Sequence, residues 1–291
     1  APRVPRGRCA MGILGSLFGP SVEALKKKRD LEGLRKLLES KDPTTRREAA
    51  IALGELGDER GVTYLLASTR AGEAEMVEAL TKAVIRSPQL AGATVRLAQA
   101  GGYGHAAERV IQVLDKFRDR ISPGQIIEDL LGAREGLWWS RRDLRRIVLP
   151  FGQRAIRYLI ERIEDPQKAR RAAQLVGALG RAAGPAAPAL IEAFRENPAI
   201  RPEVEAALME LYDGGLDALG AALDDADEDI RVLATRVLAR MPRHNRERLG
   251  ESPHSEQSEA TIRARVKAAS EEALDRALCD PSEQVRKASG A

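Results

Sequence analysis

Residues 42–58 have the sequence DPTTRREAAIALGELGD. The leading Asp can cap a helix, and the Pro beside it fits the first helical turn, where an N–H would have no intrahelical partner. The apolar residues that follow recur at three- and four-residue spacing, which is typical of one buried helix face. Gly57 then offers the left-handed backbone with which many helices end. The stretch therefore predicts one capped amphipathic helix followed by a turn.

The same pattern returns further along the chain. It is clear in DPQKARRAAQLVGALGR at residues 165–181 and, without its glycines, in DEDIRVLATRVLARM at residues 227–241. The starting residues are separated by 165 − 42 = 123 and 227 − 165 = 62 positions, or four and two multiples of about 31 residues. A partial copy, DPSEQVRKASGA, begins at Asp280. Repeats of this length are typical of helical hairpins stacked into a solenoid.

The pattern Asp-Pro-x-x-x-Arg-x-Ala-Ala-x-x-Leu-Gly-x-Leu-Gly, followed by a short second helix, resembles HEAT repeats, specifically the short kind of the phycobilin lyases. The resemblance covers residues 30–240 and 260–291. It implies an all-α fold, a right-handed α-solenoid (alpha-alpha superhelix) of HEAT-like helical hairpins. It implies little about function, because HEAT repeats occur in adaptors, regulatory subunits, lyases and nucleic-acid enzymes alike.

Four segments are expected along the chain. Residues 1–20 would form a disordered extension and an N-terminal cap, and residues 21–241 the HEAT-like repeat array. Residues 242–259, PRHNRERLGESPHSEQSE, lack apolar periodicity and predict a polar inserted loop. Residues 260–291 would form a C-terminal repeat or capping helices, either complete or truncated.

Charge is distributed unevenly, although the net charge of the 291 residues is only +4. Residues 1–47 carry twelve Lys/Arg against five Asp/Glu, and residues 134–171 carry eleven against five. Residues 196–229 carry one against eleven. The small net charge does not by itself indicate a nucleic-acid-binding protein, whereas the polarity could orient a charged partner.

The cysteines and the N-terminal stretch give information about the cellular location of the protein. Cys9 and Cys279 give neither a disulfide framework nor a metal-binding spacing, which predicts a reduced, cytoplasmic protein. No run reaches the roughly 18 apolar residues of a membrane span. The stretch MGILGS at residues 11–16 fits an N-myristoylation pattern if Met11 is the start. We favour a repeat-sealing cap over peripheral membrane contact by residues 11–18.

The stretch GLWWSRRDLRR at residues 136–146 is the most unusual local sequence, because it holds both tryptophans beside four arginines. On a helix, Trp138, Arg142 and Arg145 would share one face and could bind a phosphate backbone or an acidic partner. Alternatively, one Trp packs between repeats and the arginines form a solvated face. The candidate residues are Trp138, Trp139, Arg141, Arg142, Arg145 and Arg146.

Two further sets of charged residues are candidates for partner binding. One lies in the basic middle of the chain and the other in the acidic block of residues 196–229. Acidic residues between helices also have an ordinary explanation as caps and turns. Recurring arginines of the first helices, such as Arg47 and Arg231, could form a basic ribbon or could pair with the Asp of a neighbouring repeat. The two sets are Arg154, Arg157 and Arg162, and Glu203, Glu210, Asp213, Asp217, Asp224 and Asp225.

Enzymatic signatures are missing from the sequence. No HExxH, GxSxG, P-loop or GxGxxG pattern occurs, so no catalytic, cofactor-binding or metal-binding residue is assigned. HEAT-like alkylpurine DNA glycosylases share the scaffold, but Asp143 alone stands where their acidic residue is expected. The favoured function is a non-enzymatic scaffold or adaptor that binds a protein partner. The alternatives are nucleic-acid binding through the Trp/Arg repeat, and a bilin-lyase-like or regulatory subunit of a protein-modifying system.

Overall fold

The computed structural model describes residues 21–67, 73–87, 89–100, 106–119, 121–132, 140–248 and 256–290. Within these ranges the regular structure is helical, and no strand occurs. The chain divides into two compact units, an N-terminal unit that ends at Ile121 and a C-terminal unit that begins at Ser122. The all-α solenoid class predicted from the repeats is confirmed. The predicted extension and cap over residues 1–20 lie outside the described residues.

The N-terminal unit consists of helical hairpins that stack through two layers. In one layer α3 contacts α5 and α5 contacts α7, and in the other α4 contacts α6. The repeat pattern of the opening stretch therefore corresponds to the hairpin of α3 and α4. The helices are α1 (Val22–Lys28), α2 (Leu31–Leu37), α3 (Pro43–Glu55), α4 (Glu59–Ala67), α5 (Glu73–Arg86), α6 (Leu90–Ala100) and α7 (Ala106–Phe117).

Helix α3 begins and ends as its sequence predicts. The carboxylate of Asp42 accepts the backbone N–H of Thr44 at 3.3 Å and of Thr45 at 2.8 Å. Gly57 follows the helix with a φ of 89°, in the left-handed region. A Cβ on Gly54 would lie 2.7 Å from the Cβ of Ala83, so α3 and α5 approach closely because this position carries no side chain.

The C-terminal unit repeats the same arrangement. We call α9, α11, α13, α15 and α17 the first-helix layer, and α8, α10, α12, α14 and α16 the second-helix layer, because consecutive members of each series contact one another. The helices are α8 (Pro123–Leu131), α9 (Arg141–Val148), α10 (Gln153–Ile163), α11 (Ala169–Leu179), α12 (Ala187–Glu196), α13 (Arg201–Glu210), α14 (Leu216–Ala222), α15 (Glu228–Arg248), α16 (Glu256–Leu278) and α17 (Glu283–Ala288).

Three hairpin turns of the C-terminal unit contain a left-handed residue. Gly152 has a φ of 57° and Gly180 a φ of 69°, as expected where a repeat helix ends. At the end of α13 the left-handed residue is Tyr212, with a φ of 51°. A bulky residue in this conformation is strained, so the surrounding contacts must hold it there.

The predicted polar loop over residues 242–259 is wrong at both of its ends. Helix α15 continues through Pro242 to Arg248, and α16 begins at Glu256. The Pro removes one backbone hydrogen bond, but the Arg and Glu residues that follow it have high helix propensity. The half-buried side chain of His244 also packs against α13, where it approaches Glu210. The polar composition of these residues therefore does not indicate a loop at either end of the segment.

None of the helices in the described residues is long and apolar enough to cross a bilayer.

Candidate functional site

An arginine in the first turn of several first helices has the same structural role. Its Nη1 donates to the two backbone carbonyls that precede the helix cap. Arg46 donates to the carbonyls of residues 40 and 41 at 2.7 and 3.0 Å. Arg231 donates to those of residues 225 and 226 at 2.9 and 3.2 Å, and Arg286 to those of residues 280 and 281 at 2.6 and 2.9 Å. The repeated arginine therefore fixes the turn that leads into its helix.

Arginines also connect neighbouring hairpins. Arg231 Nε lies 2.9 Å from Oδ2 of Asp280, the residue that opens the next repeat. Arg170 Nη1 of α11 lies 3.0 Å from Oε1 of Glu203 in α13. Pairing with the acidic residue of a neighbouring repeat, one of the two alternatives for these arginines, is confirmed at Arg231. These paired arginines do not form a continuous basic ribbon, which was the other alternative.

Most of the candidate acidic residues are likewise engaged within the protein. Asp213, with a side chain only 1% exposed, lies 2.7 Å from Nε of Arg181 and 2.7 Å from Nη1 of Arg265. Asp217, in contrast, is exposed on α14 and makes no hydrogen bond or ion pair with any described residue. The remaining pairs are Glu203 with Arg170, Asp224 with Arg276, and Asp225 with Arg195.

Glu210 is the centre of the most buried of these clusters. Its side chain is 6% exposed, its Oε2 lies 2.5 Å from Nη1 of Arg141, and its Oε1 lies 3.4 Å from Nε2 of His244. The Tyr212 hydroxyl donates to Oε2 at 3.4 Å. Burial alone would raise the pKa of Glu210, but the contacts from His244 and Arg141 lower it to about 2. The cluster joins α9, α13 and α15 through one carboxylate.

Sequence reasoning did not find the part that His244 plays in this cluster. The polar composition around it had assigned the residue to a loop, whereas it lies on α15, within ion-pair distance of a buried carboxylate. No local pattern marks this contact, because it depends on the register of α15 against α13. The helical spacing of Met241 and His244 on one face was the available signal.

Several arginines of the basic middle are also engaged. Arg145 Nε donates to the carbonyl of Ala178 at 3.0 Å. Arg162 Nε lies 2.6 Å from Oε1 of Glu128, and its guanidinium stacks 4.3 Å from the centre of the Tyr158 ring. Burial would raise the pKa of Glu128, but hydrogen bonds from Lys168, Tyr158 and Arg162 lower it to about 2. This second cluster ties α8 to α10.

The other basic candidates are placed differently. Arg142 and Arg157 are exposed and have neither a hydrogen bond nor an ion pair within the described residues. Arg146 and Arg154 each have an interaction partner. Helix α9 begins at Arg141, after its Ser140 cap. The candidate tryptophans, Trp138 and Trp139, lie outside the described residues.

The outward face of the second-helix layer carries several exposed charges. Helix α10 presents Arg154, Arg157 and Glu161, and α12 presents Glu192. Helix α14 presents Asp217 and Ala221, and Asp224 is exposed in the turn that follows it. Across three successive helices the face therefore changes from mainly basic to acidic. Among the described residues, no group of three or more His, Cys, Asp or Glu side chains could hold a metal ion.

The comparisons with known proteins agree with the hairpin architecture. Residues 14–86 match the family model described as HEAT repeats, a segment that includes the α3 and α4 hairpin. No curated protein matches the chain. The phycobilin-lyase subtype stays a prediction. The Asp42 cap, the left-handed glycines and the layered hairpins agree with this match, which supports a HEAT-repeat protein.

Proposed function

We propose that the protein is a non-enzymatic adaptor that binds a protein partner through the outward face of its second-helix layer. One observation carries the proposal. Arg157 on α10 and Asp217 on α14 are exposed and free of internal partners among the described residues, while most neighbouring charges are already paired. Unpaired charges of opposite sign on one face are available to a partner without breaking any contact of the fold.

The spacing of the two charges fits a protein ligand. Helices α10, α12 and α14 follow one another in the layer, with α12 between the two charged residues. Neighbouring helix axes lie 8–10 Å apart, so the two charges are separated by about 16–20 Å. A partner with complementary charges at this separation would be held in one orientation, because reversing it would juxtapose like charges.

Internal pairing also favours a protein partner over nucleic acid. A phosphate backbone is bound by several unpaired Lys and Arg side chains on one surface. Three of the basic candidates, Arg141, Arg145 and Arg162, already contact Glu210, a backbone carbonyl and Glu128. The basic middle therefore offers a smaller cationic surface than its sequence suggests.

Site-specific photo-crosslinking tests the proposal. A photoreactive amino acid would replace Arg157 or Asp217, and a matched control would replace Gln284, which is exposed on α17 in the first-helix layer. In extracts of the source cells, we expect one protein to be crosslinked from positions 157 and 217 and not from position 284. Crosslinks that disappear after nuclease treatment, or an identical pattern from all three positions, would contradict the proposal.

A further inference from the structure

A groove in the first-helix layer is independent of the proposed partner surface. It has a volume of about 320 Å³ and lies between α11 and α13, with α9 at one end. This volume is at the lower end of the range of about 300–1,000 Å³ that is usual for ligand pockets. Gln174, Glu203, Ala206 and Glu210 line it together with the side chain of Arg141.

The floor of the groove is shallow and apolar because small residues form it. Gly177 and Ala178 of α11 face Ala206 and Ala207 of α13. A Cβ on Gly177 would lie 3.1 Å from the Cα of Ala207, so the two helices are in close contact below the groove. The methylene groups of a long side chain could lie along this floor while its polar end reaches the walls.

The walls of the groove carry two carboxylates that favour a cation. Glu210 has a side chain that is 6% exposed, and Glu203 one that is 18% exposed. Oε1 of Glu203 is paired with Arg170, but its Oε2 is buried and has no hydrogen-bond donor. A buried acceptor without a donor is unfavourable, so a ligand that supplies additional N–H groups would be stabilised here.

The groove already accepts an arginine from the same chain. Arg141 begins α9 and places Nη1 2.5 Å from Oε2 of Glu210, yet 44% of its side chain remains exposed. Its guanidinium therefore reaches the buried carboxylate from the solvent side of the groove. Because the Arg141 side chain is partly exposed, another guanidinium of the same geometry can approach the carboxylate from the solvent side and replace it.

We propose that this groove is a receptor for an arginine side chain of a partner protein, and that Arg141 is its intramolecular occupant in the free protein. The planar guanidinium suits the site better than an ammonium group, because its fixed fork of N–H donors matches a carboxylate bidentately. Displacement of Arg141 would free the first turn of α9, so binding in the groove is coupled to the position of that helix. The internal arginine is an autoinhibitory contact.

The test uses the full chain and three small probes. The probes are N-acetyl-arginine amide, its neutral isostere N-acetyl-citrulline amide, and free L-arginine. Binding is followed by the NMR shifts of the Gly177 and Ala206 amides, which lie at the groove. We expect the blocked arginine to shift these amides and the citrulline isostere not to do so. Equal responses to both, or a response to free arginine alone, would overturn the proposal, because an arginine within a polypeptide has neither free terminus.

Variants of two adjacent arginines test the competition. In Arg141→Gln, removal of the internal occupant should tighten binding of the blocked arginine by about threefold to tenfold. Arg142→Gln removes the same charge from an unpaired neighbour and should leave the affinity unchanged. If Arg141→Gln does not fold, Arg141→Lys replaces it, with a smaller gain expected. Glu203→Gln should weaken binding. Equal affinities in the wild type and in the folded Arg141 variant would overturn the autoinhibitory contact.

Discussion

The Arg231 guanidinium links two successive first helices of the C-terminal unit. Its Nε lies 2.9 Å from Oδ2 of Asp280, and its Nη1 bonds the carbonyls of Asp225 and Ala226. Burial would raise the pKa of Asp280, but the hydrogen bonds from Arg231 and from the Ser282 N–H lower it. One side chain thus fixes both the turn before α15 and the approach of α17.

Arg231→Gln should destabilise the protein because it removes the ion pair with Asp280 together with the hydrogen bonds to the two carbonyls before α15. We expect the free energy of unfolding to fall by about 2–3 kcal/mol, as for a lost hydrogen bond to a charged group with a partly buried partner. Lys287→Gln, which removes an exposed pair with Glu283, is the matched control and should cost less than about 0.5 kcal/mol. Urea unfolding followed by circular dichroism measures both. Equal losses would show that Arg231 is an ordinary surface arginine.

Two Gly→Ala variants should have effects of opposite sign. Gly180 has a φ of 69°, and an added Cβ would lie 2.8 Å from Nη2 of Arg145. Gly180→Ala should therefore cost about 1–3 kcal/mol. Gly220 lies within α14 and an added Cβ would meet no atom within 4 Å. Gly220→Ala should be stabilising by up to about 1 kcal/mol. Thermal unfolding temperatures that move in the same direction in the two variants would contradict this account of the turn.

Glu210→Gln should reveal a pH-dependent contribution to stability. The folded-state pKa of Glu210, about 2, lies below its ordinary value of 4.5. The carboxylate therefore stabilises the fold fully above pH 4.5, and this stabilisation is lost as the pH falls towards 2. The wild type should exceed the variant by about 2–3 kcal/mol at pH 7, with a difference that shrinks below pH 4.5.

Urea midpoints of both proteins between neutral and acidic pH provide this measurement. Glu161→Gln on α10 is the control, because Glu161 is exposed and makes no ion pair with a described residue. Its effect should stay below about 0.5 kcal/mol throughout the range. A Glu210→Gln deficit that persists unchanged at low pH would mean that shape, and not charge, makes Glu210 important.

The sequence predicts the local parts of this fold well. The cap at Asp42 and the left-handed Gly57 and Gly180 follow from rules about single helices, so they can be recognised without tertiary information. Tyr212 in a left-handed conformation could not be expected, because only its surroundings stabilise it. The same holds for the helical residues after Pro242, which polarity alone assigned to a loop.

The candidate site was less predictable than the fold. The acidic and basic blocks are evident in the sequence. Which of their side chains are free to bind a partner depends on tertiary contacts, which the sequence does not show. Asp213 and Asp217 are four residues apart, and one is buried between two arginines while the other is exposed on α14. The helical register and the neighbouring hairpins decide between these outcomes. Charge patterns therefore locate a region, whereas ion pairing identifies the residues within it that a partner can use.

The most direct test of the adaptor proposal is the affinity of the crosslinked partner for three charge variants. Arg157→Glu and Asp217→Arg reverse the two available charges, and Arg142→Glu reverses an exposed, unpaired charge on α9 in the first-helix layer. We predict that each of the first two weakens binding by about tenfold or more and that Arg142→Glu changes it less than about twofold. Unchanged affinity in Arg157→Glu and Asp217→Arg, with a loss in Arg142→Glu, would contradict the proposal that the second-helix layer carries the partner.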